Sequence, residues 1–123
     1  MPLATEEMTK LAQLRPSAQV QAQGDGSLLV QVAGIALPPG WSRTVTSMRW
    51  VLSPGYPAAQ PDCFYADADL RLTGGAMPVN SGPQDLQGEP LLWFSWHVQG
   101  WRSGRDDLLS YLRFIESRLA DVR

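Results

Sequence analysis

Three apolar runs, joined by short connectors that contain proline and glycine, occupy the middle of the chain and restrict its fold most strongly. The runs span residues 27–37, 44–53 and 62–67 and are rich in β-branched or aromatic residues, which predicts strands. The connectors contain Pro38-Pro39-Gly40 and Pro54-Gly55-Tyr56-Pro57. Because parallel neighbours need a crossover of about a dozen residues or more, such short connectors favour an antiparallel meander.

A helix is predicted on each side of the meander. On the N-terminal side, residues 5–14 place apolar side chains on one helical face, with Thr5 as the N-cap. On the C-terminal side, residues 103–106 have the spacing of a capping box. They precede an apolar helical stripe of Leu108, Leu112, Ile115 and Leu119. Arg118 and Arg123 suit the negative end of that helix dipole.

The segment between the meander and the closing helix carries little regular pattern. Residues 68–90 contain several glycines together with Asn, Ser and Pro, and they are predicted as a long, largely irregular loop. Residues 91–98 form a short apolar run that is either a strand or an extended segment. The order of helix, antiparallel meander, long loop and helix predicts an α+β fold. With 123 residues, the chain has the length of a single domain, 1–123.

Composition argues against several classes of function. Cys63 is the only cysteine and His97 the only histidine, so we expect no internal disulfide, no metal site and no cofactor. The net charge is −2 and the arginines are scattered, which argues against a nucleic-acid partner. No stretch approaches the roughly 18 apolar residues of a membrane span, and the N-terminus lacks the pattern of a signal peptide. We therefore expect a cytoplasmic protein with no membrane partner.

Tryptophan is concentrated just ahead of the closing helix. Three of the five tryptophans, Trp93, Trp96 and Trp101, lie within nine positions. Tryptophan is large and its indole N–H needs a hydrogen-bond partner, so such a cluster either packs in the hydrophobic core or forms a contact surface. Both interpretations stay open, and Trp96 and Trp101 are candidate partner contacts.

Five short segments, in order along nearly the whole chain, carry a family resemblance. They are Leu37-Pro38-Pro39-Gly40, Pro54-Gly55-Tyr56-Pro57, Pro61-Asp62-Cys63-Phe64-Tyr65, Trp93-Phe94-Ser95-Trp96-His97 and Trp101-Arg102-Ser103-Gly104-Arg105-Asp106. Together they resemble the ubiquitin-conjugating enzymes and, more narrowly, the prokaryotic family E of that superfamily. The resemblance implies a minimal ubiquitin-conjugating fold. It also implies two partners, a ubiquitin-like protein and an adenylating activating enzyme, whose genes typically stand beside those of family members.

Two features of that superfamily are missing. Its His-Pro-Asn signature is absent, and the nearest trace is Asn80 within Val79-Asn80-Ser81. No cysteine lies between the meander and the closing helix, where the superfamily keeps its nucleophile. The resemblance therefore implies Asn80 as a candidate oxyanion donor and leaves the nucleophile to be found elsewhere.

Ser95 is the main candidate nucleophile. Counted back from Trp101, it lies within a couple of positions of where the resemblance places the nucleophile. In an extended segment, His97 falls on the same side as Ser95, and a neighbouring imidazole is the usual activator of a serine. Three aspartates are candidates to orient the histidine: Asp62, Asp67 and Asp85. The alternative is that Ser95 and His97 are structural polar partners among the tryptophans.

The other candidate nucleophiles are less suitable. Cys63 is the only thiol, but it lies in a predicted strand, whereas the superfamily's cysteine comes well after that strand. Free cysteine often behaves as a small buried apolar residue, so Cys63 is interpreted as structural. Ser81 lies in a glycine-rich loop, which is a poor setting for a preorganised nucleophile.

Two functions follow from the resemblance. The first is a carrier that accepts the C-terminus of a ubiquitin-like protein as an oxyester on Ser95, with His97 as the base. The second is a non-catalytic scaffold for the ubiquitin-like protein and the activating enzyme, in which the first helix and the meander surface bind the partners. The candidate partner-binding residues of that helix are Glu6, Glu7 and Lys10. An unrelated α+β domain is the third alternative, and a different order of elements would favour it.

Overall fold

The residues that the structure describes form two helices and six strands. The computed structural model describes residues 2–56, 58–61, 63–95, 98, 100–102 and 105–123. The elements are α1 (Pro2–Leu14), β1 (Gln19–Ala22), β2 (Leu28–Ala36), β3 (Val45–Leu52), β4 (Phe64–Asp67), β5 (Ser81–Leu86), β6 (Glu89–Phe94) and α2 (Leu108–Ala120). The predicted α+β order, with a helix at each end of the described chain and an antiparallel sheet between them, is confirmed.

The six strands form one sheet in the order β1-β2-β3-β4-β6-β5, with every neighbouring pair antiparallel. The three predicted strands are β2, β3 and β4, and they lie side by side as a meander. β6 then pairs with the free edge of β4, from Phe64↔Phe94 to Asp67↔Leu91. The apolar run that begins at residue 91 is therefore a strand as far as Phe94.

The loop predicted over residues 68–90 is wrong from residue 81 onwards, because β5 and the start of β6 form a hairpin there. Gln87 and Gly88, with φ of 53° and 81°, make its two-residue turn, and two positive φ values are what a type I′ turn needs. β5 contains Pro83. Proline disrupts a central strand, but it is tolerated here because β5 is an edge strand. β1 lies at the opposite edge and is mostly exposed, so its sequence shows no burial pattern.

The core lies between one face of the sheet and the two helices. Alternate residues of the central strands are buried there, including Met48, Trp50 and Leu52 of β3 and Leu92 and Phe94 of β6. The helices contribute Leu11 from α1 and the apolar stripe of α2, and all of these side chains belong to one continuous cluster. The predicted stripe of the closing helix is confirmed, since Leu108, Leu112, Ile115 and Leu119 are each at most 1% exposed.

The ends of both helices differ from the sequence-based prediction. α1 begins at Pro2, so Thr5 is not its N-cap, and a proline is well tolerated in a first helical turn. α2 begins at Leu108, and its N-cap is Asp107, whose carboxylate accepts from the backbone N–H of Ser110 at 3.0 Å. The predicted capping box at residues 103–106 is therefore wrong, and Asp106 instead accepts from the N–H of Arg102 at 2.7 Å. Ser103 and Gly104 lie outside the described residues.

Neither helix of the described chain is long and apolar enough to cross a membrane.

Candidate functional site

Two of the predicted site residues meet at one end of the β5–β6 hairpin. Asn80 directly precedes β5, and Ser95 directly follows β6. The last pair of the ladder is Ser81↔Phe94, so the next step of the register sets Asn80 opposite Ser95. The backbone N–H of Ser95 donates to the carbonyl oxygen of Asn80 at 2.8 Å. The structure therefore brings together the predicted nucleophile and the predicted oxyanion donor.

Asn80 adopts a left-handed backbone conformation, with φ of 57°. Asparagine is one of the few residues other than glycine that enters this region readily. The turn that holds it also uses Ser81, whose hydroxyl donates to the carbonyl oxygen of Pro78 at 2.6 Å. Pro78 is buried. Ser81 therefore has a structural partner in the turn, which agrees with its rejection as a nucleophile.

Arg118 reaches this turn from the last turn of α2, where its side chain is buried (3% exposed). Its guanidinium donates to the carbonyl oxygen of Val79 at 3.0 Å. It also donates to the carbonyl oxygens of Asp121 at 2.9 Å and Arg123 at 3.1 Å. The backbone N–H of Val79 donates to the carbonyl of Arg123 at 3.2 Å. Both the N–H and the carbonyl of Val79 are therefore hydrogen-bonded to the C-terminal part of the described chain.

The same guanidinium packs over an aromatic ring of β6. Its central carbon lies 5.2 Å from the centroid of the Phe94 ring, within the range of a cation–π contact. Phe94 in turn stacks on Phe64 of β4, with centroids 4.8 Å apart and planes at 11°. Burial lowers the pKa of Arg118, and the charge of Arg123 lowers it further while Asp121 opposes the shift. The guanidinium stays charged, since arginine titrates far above neutral pH.

Ser95 itself is half-buried. Along β6, Leu92 and Phe94 face the helices, so the alternation of side chains puts Trp93 on the opposite face and makes Ser95 the next residue of that set. Trp93 is half-buried there and lines a cavity of about 260 Å³. The walls of this cavity are Val51, Cys63, Tyr65, Gln84 and Trp93.

Cys63 lies at the same end of the sheet as Ser95. It directly precedes β4, one residue beyond the Phe64↔Phe94 pair, and continuing that register sets it opposite Ser95. Its side chain is half-buried in the wall of the cavity. The sequence-based placement of Cys63 inside a strand is therefore wrong by one residue, and the structure makes it a neighbour of the candidate site.

The residues predicted to activate Ser95 are only partly placed. His97, Trp96 and Asp62 lie outside the described residues. Asp67 lies at the far end of β4, opposite Leu91, where it accepts from the N–H of Ser47 at 3.2 Å and pairs with Arg43 at 3.1 Å. Asp85 lies near the hairpin turn, opposite Pro90. Since four residues of strand span roughly 13 Å, neither aspartate lies beside Ser95. Their role as groups that orient His97 stays a prediction, because His97 lies outside the described residues.

Glu7 was predicted to bind a partner, but it faces the interior. Its side chain is buried (6% exposed), and one carboxylate oxygen accepts from the hydroxyl of Tyr56 at 2.5 Å and from the N–H of Leu108 at 3.1 Å. Glu7 therefore joins α1 to the N-terminal end of α2, where a negative charge is favourable. Burial and the Glu7 carboxylate together raise the pKa of Tyr56 well above its usual range. Because Glu7 is buried, it does not belong to the surface of α1 that was predicted to contact a partner.

Two of the other predicted partner-binding residues, Glu6 and Lys10, are accessible. Glu6 and Lys10 lie on the exposed side of α1 and are 4.0 Å apart, with 70% and 56% of their side chains exposed. Trp101 is half-buried and packs against Tyr56, with ring centroids 6.0 Å apart. Its partner contact stays a prediction.

A cleft of about 380 Å³ lies between α1 and α2. It is lined by Lys10, Gln13, Leu14, Leu109 and Arg113. Leu14 is half exposed (50%), although the helical pattern predicted it on the buried face with Leu11. An exposed leucine between two cations gives this surface an apolar floor and a basic rim.

Two parts of the site were missed from the sequence. The β5–β6 hairpin was missed because its turn is Gln87-Gly88 and not one of the favoured Asn-Gly or Asp-Gly pairs. Arg118 was assigned only to the helix dipole. A signal for its burial was present, because it follows Ile115 by three residues and so falls on the apolar stripe. Among the described residues, no group of three or more His, Cys, Asp or Glu side chains is arranged to hold a metal ion.

The order of helix, antiparallel sheet and closing helix is consistent with the ubiquitin-conjugating fold. A sequence profile of the family described as Prokaryotic E2 family E matches residues 16–122. The chain belongs to this family, which confirms the resemblance found in its sequence. No curated protein and no solved structure gives a significant match.

Proposed function

We propose that this chain carries the C-terminus of a ubiquitin-like protein as an oxyester on Ser95, having accepted it from an adenylating activating enzyme. The observation that supports this proposal most strongly is the contact between Ser95 and Asn80, joined at 2.8 Å across the end of the hairpin. The family supports a conjugating-enzyme-like role. Since adenylation consumes ATP, we place the reaction in the cytoplasm.

The proposed transfer is an acyl exchange. The hydroxyl oxygen of Ser95 attacks the carbonyl carbon of the thioester that joins the ubiquitin-like protein to the activating enzyme. His97 accepts the hydroxyl proton, the new C–O bond forms, the C–S bond breaks, and His97 returns the proton to the departing thiolate. An oxyester is less activated than a thioester, so the negative charge that develops on the carbonyl oxygen needs a strong donor. We assign that role to the carboxamide of Asn80.

We further propose that the activating enzyme docks on the cleft between α1 and α2. Lys10 and Arg113 line the cleft together with the half-exposed Leu14. A partner surface with acidic residues around an apolar side chain is complementary to it in charge and shape. The charge reversals Lys10→Glu and Arg113→Glu should each weaken complex formation, and Gln21→Glu, at an exposed position of the edge strand β1, is the control.

The chemistry is tested by reconstitution with the ubiquitin-like protein and activating enzyme from the same gene cluster. With ATP and Mg²⁺, the wild-type chain should form an adduct that survives excess dithiothreitol and is cleaved by alkaline hydroxylamine. Ser95→Ala should not form it, while Cys63→Ala should. An adduct that persists in Ser95→Ala contradicts the proposal. An adduct that dithiothreitol removes and Cys63→Ala abolishes assigns the transfer to the neighbouring thiol instead.

A non-catalytic scaffold is the second candidate function. One observation favours it: by register, Asp67 and Asp85 lie four and five strand positions from Ser95, so neither residue stands beside its hydroxyl. A scaffold would bind the ubiquitin-like protein or the activating enzyme with unchanged affinity in Ser95→Ala and His97→Ala, and would form no covalent adduct. Titration calorimetry with the two variants separates this function from the carrier.

A further inference from the structure

Arg118 contacts the chain on both sides of the candidate site, immediately before each of its two residues. Its guanidinium donates to the carbonyl of Val79, the residue before Asn80, at 3.0 Å. It also packs at 5.2 Å over the ring of Phe94, the residue before Ser95. One buried side chain of α2 thus touches the segment that leads into β5 and the last residue of β6. We infer that Arg118 is a positioning residue that sets Asn80 against Ser95, an inference that rests on the proposed function of that pair.

The hydrogen bonds around Asn80 explain how this positioning works. The carbonyl of Val79 belongs to the peptide group that precedes the Asn80 Cα, and Arg118 holds it. The carbonyl of Asn80 belongs to the peptide group that follows, and the N–H of Ser95 holds it at 2.8 Å. Since the two planes on either side of a Cα define its φ and ψ, these contacts fix the left-handed backbone of Asn80 and therefore the direction of its Cα–Cβ bond.

The shape and charge of arginine suit this task better than those of lysine. Arg118 binds carbonyl oxygens of three residues, Val79, Asp121 and Arg123, and a planar guanidinium with five donors spans such a set. The guanidinium also lies over the ring of Phe94, 5.2 Å from its centroid. A lysine ammonium is a compact point charge and keeps only part of this set. Arg118→Lys therefore weakens the positioning, and Arg118→Met removes it.

The first test needs no partner protein. Amide hydrogen exchange, followed by NMR, reports the bond from the Ser95 N–H to Asn80. We expect the Ser95 amide to exchange roughly tenfold faster in Arg118→Lys and faster still in Arg118→Met, while amides in the paired strands β2 and β3 are unchanged. Arg15→Lys is the matched control, because Arg15 also ties α2 to another element, through Glu116 at 2.9 Å, but lies away from the hairpin end.

The exchange pattern also separates positioning from a local role at the end of the helix. If Arg118 only closes α2, protection falls in the last turn, at the Asp121 N–H that bonds to the Arg118 carbonyl, and Ser95 stays protected. That result overturns the inference. If Arg118→Met does not fold, amide exchange at Ser95 and Asp121 in Arg118→Lys decides between the two roles.

The second test measures the transfer itself. In the reconstituted reaction, the rate constant for adduct formation at saturating activating enzyme should fall roughly 10- to 100-fold in Arg118→Lys, with little change in the enzyme concentration that gives half the maximal rate. Asn80→Gly should cause a similar loss, and the double variant should be no slower than Asn80→Gly alone, because both changes remove the same placement. Additive losses contradict the inference.

The two tests fail separately. A wild-type chain that forms no ester on Ser95 contradicts the proposed function, and the exchange measurement still decides whether Arg118 sets Asn80 against Ser95. A wild-type chain that forms the ester, with Arg118→Lys reacting at the wild-type rate, contradicts only the positioning role.

Discussion

The backbone N–H of Ser95 donates to the carbonyl oxygen of Asn80 at 2.8 Å, across the open end of the β5–β6 hairpin. The contact depends on the turn at Gln87-Gly88, which returns the chain so that the end of β6 meets the start of β5. A serine that was selected for its position before Trp101 therefore faces the asparagine that is the nearest trace of the superfamily signature. The candidate site is the meeting point of these two residues.

Two substitutions of Asn80 distinguish the contribution of its left-handed backbone to stability from the contribution of its carboxamide to catalysis. Asn80→Gly keeps the conformation at φ 57° without strain, so its unfolding free energy should lie within about 0.5 kcal/mol of wild type. Asn80→Ala should lose about 1 kcal/mol more, because a Cβ is strained in this region. Both variants should form the adduct roughly 100-fold more slowly. Urea unfolding and single-turnover assays check the two effects, and a fully active Asn80→Gly would exclude the oxyanion role.

Two neighbouring glutamates of α1 should respond very differently to the same substitution. Glu7→Gln weakens the buried hydrogen bonds to the Tyr56 hydroxyl and the Leu108 N–H, and should lower the unfolding free energy by about 1–2 kcal/mol. Glu6→Gln removes only an exposed pair with Lys10 at 4.0 Å, and should change it by less than about 0.5 kcal/mol. If the two variants lose equal unfolding free energy in urea, the buried hydrogen bonds of Glu7 do not stabilise the contact between the helices.

The buried hydroxyl of Tyr56 should make stability depend on alkaline pH. Its pKa is raised in the folded state, chiefly by burial and then by Glu7, whereas the unfolded chain loses this proton near pH 10. Above about pH 10 the folded state therefore holds more protons than the unfolded state, and stability falls as pH rises, by at most about 1.4 kcal/mol per pH unit. Tyr56→Phe should show a shallower fall between about pH 9 and about pH 11 in urea titrations. Parallel curves would contradict the assignment.

Gly40 is required by its backbone and by its neighbour. It has φ of 111°, and a Cβ at this position would lie 2.6 Å from the Cγ1 of Val122. Gly40→Ala should therefore cost about 1–3 kcal/mol. Gly74→Ala is the matched control, since a Cβ there meets no atom within 4 Å, and its effect should be neutral or stabilising by at most about 1 kcal/mol. Thermal unfolding distinguishes the two variants, and an equally stable Gly40→Ala would refute the close approach.

The sequence was most informative where burial imposes a period. The buried stripe of α2 recurs with the helical period, and β3 alternates buried with half-buried residues, so the pattern of each predicts the element and its buried side. β2 follows the same pattern less regularly, because its register shifts between Val32 and Ile35. The edge strands β1 and β5 bury little, and the pattern that would reveal them is absent. Pro83 then pointed to a loop, because a proline is excluded from a central strand and not from an edge.

The sequence predicted several residues of the candidate site, but it did not predict which of them contact one another. Ser95 and Asn80 were selected separately, by position and by resemblance, and only the hairpin register brings them together. Glu7 was assigned to the surface, because an acidic residue in a first helical turn is usually exposed, and its partner Tyr56 lies far away in the chain. Arg118 was missed as a site residue for the same reason: its partner Val79 is brought to it only by tertiary packing.

The most direct measurement of the central claim is mass-spectrometric mapping of the adduct formed in the reconstituted reaction. After digestion with pepsin at acidic pH, which preserves esters, the remnant of the ubiquitin-like C-terminus should be attached to the hydroxyl of Ser95, in the peptides that contain this residue. Ser95→Ala should leave those peptides unmodified. A remnant on Cys63 or on a lysine, or no remnant with fully active partners, would contradict the carrier function of Ser95.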